Sequence, residues 1–259
     1  MAYKHHGAKV EATIGHKVKV AQVELNRILA HPVPRPPQPM TFTPAFAPAK
    51  PHHTVAIAVT DLAYGIEGPD GQKRPLFSDV RFTLRQGERM LLVGPNGSGK
   101  TALLDLLAAR RASTEGALFR PAHTVVGYLQ QCFVCADPQE TLFDFFRSDL
   151  SGSRKACEEL LLSYQLFTFS EFRLPVCALS PGQQRKLMIA KLMATGANLL
   201  LLDEPTNYVS FPVLEAFERA LANFPGVVAV SHDRRFIERF GAPVWKLWHG
   251  HLVPRVGSP

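Results

Sequence analysis

Eight residues, Gly94-Pro95-Asn96-Gly97-Ser98-Gly99-Lys100-Thr101, constrain this chain more than any other stretch. They satisfy the pattern G-x-x-x-x-G-K-[ST] in full, and their flanks agree with them. Upstream, Arg89-Met90-Leu91-Leu92-Val93 is a short apolar run that reads as a buried parallel strand. Downstream, the leucine-rich stretch Ala102–Ala109 reads as a helix. Strand, glycine loop and helix together aim successive backbone N–H groups and a helix N-terminus at one point, which suits a phosphate. Glycines let the backbone close around the anion without Cβ clashes. Lys100 then reaches the β- and γ-phosphates of a nucleotide, and the Thr101 hydroxyl ligates Mg²⁺.

A chain of 259 residues, 46% apolar and 20% charged, suits one sizeable α/β domain plus an appendage. No stretch approaches the roughly 20 uninterrupted apolar residues of a membrane span. Met1–His6 leads into no apolar signal region, so the expectation is a cytoplasmic chain without direct membrane insertion. Cys132 and Cys135 form a C-x-x-C, but Cys157 and Cys177 stand singly, and zinc wants a second pair. Reduced, mostly apolar thiols are therefore expected. The net charge of +7 is uneven: residues 1–50 carry seven Lys or Arg against Glu11 and Glu24. Such an excess on an arm points to a polyanionic partner, nucleic acid being the commonest, or to a solvated basic helix.

Along residues 8–30, Val10, Ile14, Val18, Ala21, Leu25 and Ile28 form a helical seam of near-heptad period. One seam on so short a helix needs a partner helix, which suggests one limb of a longer hairpin. Eight prolines between Pro32 and Pro51 then mark an extended linker and a boundary near residue 52. This divides the chain into a basic helical segment (1–31), a proline-rich linker (32–53) and a globular domain (54–259). Strands are expected at Val55–Val59, Val80–Leu84, Val125–Tyr128, Leu199–Leu202 and Val227–Ser231, with a loop from Gly65 to Pro75. Helices are expected at Pro181–Thr195 and Val213–Asn223, and a mainly helical insertion occupies about 137–178. Strands alternating with helices argue for a mainly parallel sheet of α/β class.

Leu199–Leu202 runs into Asp203-Glu204, which places two carboxylates at the carboxyl edge of the sheet, where ligands bind in α/β folds. Asp203 is placed to hold Mg²⁺ and Glu204 to activate an attacking water. Between these motifs, Leu179-Ser180-Pro181-Gly182-Gln183 opens an amphipathic helix, with Ser180 a good N-cap and Pro181 a good first residue.

Leu179–Gln183 resembles the L-S-G-G-Q signature of ATP-binding cassette (ABC) proteins. In chain order, Tyr64 resembles the aromatic that stacks on adenine, Gln131 the Q-loop glutamine, and Ser231-His232-Asp233 the switch histidine segment. The ordered set spans about residues 54–252. Asp203-Glu204-Pro205-Thr206-Asn207 and Val230–Phe236 resemble the ABC-F subfamily, proteins of two cassettes that act on ribosomes, some protecting them from antibiotics. In that family a basic helical hairpin joins the cassettes, and residues 8–51 resemble its second limb and exit. The whole resembles the C-terminal half of such a protein. Two departures stand out: Tyr208-Val209-Ser210 replaces the usual His-Leu-Asp, and Pro181 replaces the first signature glycine.

The resemblance implies ATP hydrolysis in a closed dimer of cassettes, with each nucleotide between one P-loop and the other cassette's signature. Gly94, Pro95, Asn96, Gly97, Ser98, Gly99, Lys100 and Thr101 would hold the phosphates, with Tyr64 on the base. Thr101, Gln131 and Asp203 would hold Mg²⁺, Glu204 would be the base and His232 would bond the γ-phosphate. Ser180, Gly182 and Gln183 would serve the partner's nucleotide. Residues 1–50 would meet ribosomal RNA. The alternatives are the ATP-binding subunit of a membrane transporter and a truncated nucleotide-binding relic without turnover.

Overall fold

The computed structural model describes residues 55–67 and 72–255, with Lys19, Gln22, Phe42, Pro44 and Phe46 as isolated positions. The expected basic helix and most of the proline-rich linker lie outside the described residues. The chain divides into two units, Met1–Pro39 and Met40–Pro259. The second starts ahead of the boundary expected near residue 52, because Phe42 is buried in its core and Phe46 meets Phe224 edge-on at 4.6 Å.

In this unit two sheets form. The strands β1 (Val55–Glu67), β2 (Lys73–Arg85) and β4 (Glu115–Phe119) make an antiparallel sheet in the order β2-β1-β4. The main sheet has six strands. It contains β3 (Arg89–Val93), β5 (Val126–Leu129), β6 (Leu199–Asp203), β7 (Val227–Val230), β8 (Val244–Trp248) and β9 (His251–Pro254). Its order is β5-β6-β7-β3-β8-β9, parallel throughout except for the last pair. The α/β class with a mainly parallel core, a β-rich N-terminal subdomain and a helical part is what the chain adopts.

The central strands β3, β6 and β7 are buried on both faces, which is why they read as apolar runs. Successive residues go to opposite sides. Leu200, Leu202, Val227 and Ala229 join one core with the helices α2 (Leu142–Arg147), α3 (Arg154–Ser163), α4 (Pro181–Ala194) and α5 (Phe211–Leu221). Leu199, Leu201, Val228 and Val230 join the other, with the antiparallel sheet and the helix α1 (Lys100–Leu107). A last short helix, α6 (Arg234–Phe240), is capped by Asp233, which accepts from the N–H groups of Arg235 and Phe236.

Two expectations are corrected. The loop from Gly65 to Pro75 is largely strand: β1 continues to Glu67, with Gly65 opposite Pro75 and Ile66 opposite Arg74. Gly65 permits this, since a Cβ there would sit 3.0 Å from the Arg74 carbonyl oxygen. Register shifts on both sides of Tyr64 break the alternation by which a strand is recognised. Nor do Cys135 and Cys177 stand apart: they lie side by side across 42 residues, with Cα atoms 5.5 Å apart. Folding brings them together, a proximity that spacing along the chain does not carry. Cys132 is free and exposed, and Cys157 free and buried.

Candidate active site

Because β5, β6, β7 and β3 are parallel neighbours, their carboxyl ends share one edge of the sheet. β3 delivers the glycine loop, β6 delivers Asp203 and Glu204, β7 delivers Ser231 and His232, and β5 delivers Gln131. These strand ends border a cavity of 660 Å³ lined by Asn96, Gly97, Gly99, Lys100, Thr101, Gln131, Asp203, Glu204 and His232, among others. That volume suits a small-molecule ligand. Residues from four separate stretches, named from sequence, thus converge on one space.

The loop is built on glycines that no other residue replaces. Gly94 has φ 158°, and a Cβ there would meet the Leu247 carbonyl oxygen at 2.5 Å. Gly99 has φ 99°, with Phe77 and Leu76 against it, and it caps α1. Lys100 donates to the carbonyls of Gly94 and Pro95, both at 2.9 Å, so its ammonium sits inside the loop. Burial holds its pKa below the ordinary lysine value, with Glu204 and Asp203 pulling it back up. Such an under-solvated cation is well placed to be met by phosphate.

Thr101 Oγ1 donates to Asp203 Oδ2 at 2.7 Å. A hydroxyl and a carboxylate paired this closely, with the Gln131 amide on the same cavity, are the hard oxygen donors that Mg²⁺ takes. Asp203 is 1% exposed, and burial raises its pKa against the opposing hydrogen bond from Thr101. Glu204 follows at φ 47°, a left-handed conformation that a non-glycine residue holds only when its surroundings impose it. They do so: its N–H donates to the Val230 carbonyl at 2.9 Å. Its side chain accepts from the His232 N–H at 3.3 Å, and Oε1 lies 3.5 Å from His232 Nε2. Burial raises the Glu204 pKa too, partly offset by that hydrogen bond. The result is a carboxylate beside an exposed histidine and a lysine, more basic than it would be in water.

The signature residues are elsewhere. Ser180, Gly182 and Gln183 do not line this cavity. Ser180 caps α4 and Gln183 closes a capping box with it, the Ser180 N–H donating to Gln183 Oε1 at 3.0 Å. Tyr64 is not among the residues lining this cavity. Its hydroxyl accepts from Arg111 at 3.1 Å, and its ring lies 6.2 Å from Phe77. Ile66 and Leu76 line the cavity instead. The register passes from Tyr64↔Phe77 to Gly65↔Pro75, so Leu76 is the extra residue of a bulge and is re-aimed by it. Sequence reading missed Ile66 and Leu76 on the cavity wall, since strand bulges leave no simple period, and it missed Asn207, which lies in the turn after β6.

The ABC transporter family model matches residues 77–207. The chain is 34% identical over 225 residues to the tylosin resistance ATP-binding protein TlrC of Streptomyces fradiae, covering 86% of this chain and 39% of TlrC. It is 29% identical over 236 residues to the ribosome protection protein VmlR of Bacillus subtilis, covering 89% of this chain and 41% of VmlR. It therefore spans less than half the length of these curated relatives. In fold it resembles the dimeric structure of MJ0796, a bacterial ABC transporter cassette, with a TM-score of 0.65 at 19% identity over 78% of this chain and 100% of that one. The cavity at the strand ends, the fold and a family match over half its residues together make this chain a member of the ABC transporter family of ATP-binding cassettes, with relatives in the ABC-F branch.

Proposed function

We propose that the chain hydrolyses ATP to ADP and phosphate as one cassette of a ribosome-directed, cytoplasmic ABC-F protein. The observation that carries the reaction is the shared cavity of Lys100, Thr101, Asp203, Glu204 and His232. Backbone N–H groups of the Gly94–Thr101 loop, Pro95 excepted, hold the phosphates, with Lys100 on the β- and γ-groups. Thr101, Asp203 and Gln131 would hold Mg²⁺, which neutralises charge on the phosphate oxygens. Glu204 takes the proton of the attacking water, and its raised pKa strengthens it for that task. His232, beside Glu204, orients it and donates to the γ-phosphate. Ser180, Gly182 and Gln183, turned away from this cavity, would complete the site of a second cassette. Glu204→Gln tests the chemistry: turnover is lost while Mg²⁺-ATP binding persists. Equal turnover in both proteins removes the assignment.

The ribosomal part rests on the ABC-F resemblance, on relatives named for tylosin resistance and ribosome protection, and on the +5 charge of residues 1–50. Lys9, Lys17, Lys19 and Arg27 would meet RNA phosphates, so binding would weaken steeply with salt as counterions are released. A second reading, the ATP-binding subunit of a membrane transporter, is favoured by one observation. A groove of 320 Å³ lies between the Gln131 loop and the helical part, lined by Phe133, Val134, Phe145, Met188 and Leu192 among others, and would accept an apolar helix. Co-sedimentation of Glu204→Gln with ribosomes in ATP, across a salt series and with residues 1–50 present or deleted, separates the two. Salt-sensitive pelleting lost with the arm supports the ribosome. No pelleting at low salt, with capture of an integral membrane protein, supports the transporter.

A further inference from the structure

Arg185 lies one turn into α4, the helix that the signature opens, and is only 2% exposed. A guanidinium is costly to bury, and this one pairs with no carboxylate side chain at hydrogen-bonding distance among the described residues. It reaches main-chain carbonyls instead. One terminal nitrogen donates to Gln130, the residue before Gln131. The other donates to Asp203 at 3.2 Å and to Glu204 at 2.7 Å. Burial draws its pKa down to about 10, with Asp203, Cys132 and Glu204 acting against that, so it stays protonated at neutral pH. A planar fork with fixed donors can span carbonyls from two loops, whereas a lysine ammonium reaches as a single point.

Those carbonyls belong to the backbone that aims the reactive groups. Glu204 is held at φ 47°, and the Arg185 bond falls on the carbonyl of that strained residue. Gln131 is aimed by the peptide next to the Gln130 carbonyl. An apolar side chain of similar volume would serve packing at least as well, so packing alone does not account for a buried guanidinium here.

We infer that Arg185 is a positioning residue for hydrolysis, tying the signature helix to the Gln131 loop and the Asp203-Glu204 turn. Movement of the signature on a second cassette's nucleotide is thereby passed to this cassette's own base and glutamine. The role rests on the hydrolytic reading above and adds to it a physical link between the two faces of the cassette.

The test compares the parent with Arg185→Met, Arg185→Lys and Glu204→Gln, with kcat expressed per nucleotide-binding site titrated by calorimetry and melting points recorded alongside. Arg185→Met is expected to lower kcat about 100-fold, with the KM for ATP within about threefold of the parent. Arg185→Lys, which keeps the charge and loses the fork, is expected to recover about tenfold of that loss. A residue that only supports the fold would lower the number of binding sites and the melting point but leave kcat per site unchanged, and that result overturns the inference. If Arg185→Met does not fold, Arg185→Lys decides alone: about a tenfold fall in kcat supports the role, and a parental kcat overturns it. A parent no faster than Glu204→Gln overturns the hydrolytic reading and this role with it. A fast parent matched by Arg185→Met overturns the role only.

Discussion

Around Gly94–Thr101 the protein encloses its chemistry, whereas around Ser180–Gln183 it carries its groups outward. Asp203 and Glu204 are buried, share contacts with Thr101 and His232, and have pKa values raised by burial. Ser180 is exposed, and its polar contacts are used in capping α4. The first region gathers its groups on one cavity within a single chain. The second is a capped helix end that lines none of the first region's cavity. On the proposed function, the contrast separates a phosphate site from a surface offered to another cassette's nucleotide. Arg185 alone among the residues discussed touches backbone on the first side from a helix that starts on the second.

The largest effect is expected where the enclosed region does its work. Glu204→Gln lowers kcat about 1000-fold and leaves Mg²⁺-ATP affinity near that of the parent, measured by phosphate release and calorimetry. Loss of affinity to the same degree would show that Glu204 serves binding rather than chemistry. Next comes Lys100→Ala, which removes the cation lodged in the glycine loop. Its ATP affinity falls roughly 100-fold by calorimetry, the weight of hydrogen bonds from a cation to phosphate. Unchanged affinity would remove the loop from the account.

A smaller effect is expected at the outward-facing region. Ser180→Ala leaves the ATP affinity of the lone chain untouched but lowers turnover about tenfold at protein concentrations where dimers form. It also removes a helix cap, about 1 kcal/mol of stability, so its melting point is recorded beside the parent's. A fall in single-chain affinity would mean that the two regions are not separate.

The smallest effect concerns pH. Asp203 and Glu204 have folded pKa values raised above the ordinary 3.8 and 4.5. Each binds its proton more tightly folded than unfolded, so the stability it contributes is present below those ordinary values. That contribution is lost as pH rises through the folded values. Glu204→Gln removes one such charge. Without nucleotide, its melting point therefore exceeds the parent's at pH 8, and the gap closes towards pH 4. A gap independent of pH would contradict the burial of Glu204 as the cause.

What was legible in the sequence follows from where information is local. The strand before Gly94, the acids after Leu202 and the Ser-Pro opening of α4 announce themselves within a few residues. The parallel sheet then brings the strand ends to one edge. Leu76 was not legible as a cavity residue because the bulge opposite Tyr64 re-aims it, and a one-residue shift of register is invisible to pattern. The Cys135–Cys177 proximity and the reach of Arg185 to three carbonyls depend on parts of the chain far apart in sequence. Main-chain carbonyl partners carry no residue identity at all, so no motif could have named them.

The most direct test of the two-region account is the mass of Glu204→Gln in solution, by sizing chromatography with light scattering, with and without Mg²⁺-ATP. If the outward signature of one cassette completes the enclosed site of another, adding ATP to the hydrolysis-blocked chain shifts it from monomer to dimer. The dimer then retains one nucleotide per chain. A chain that binds ATP to saturation and stays monomeric at every protein concentration would contradict pairing between two copies of this cassette, and would assign the second half-site to a different cassette.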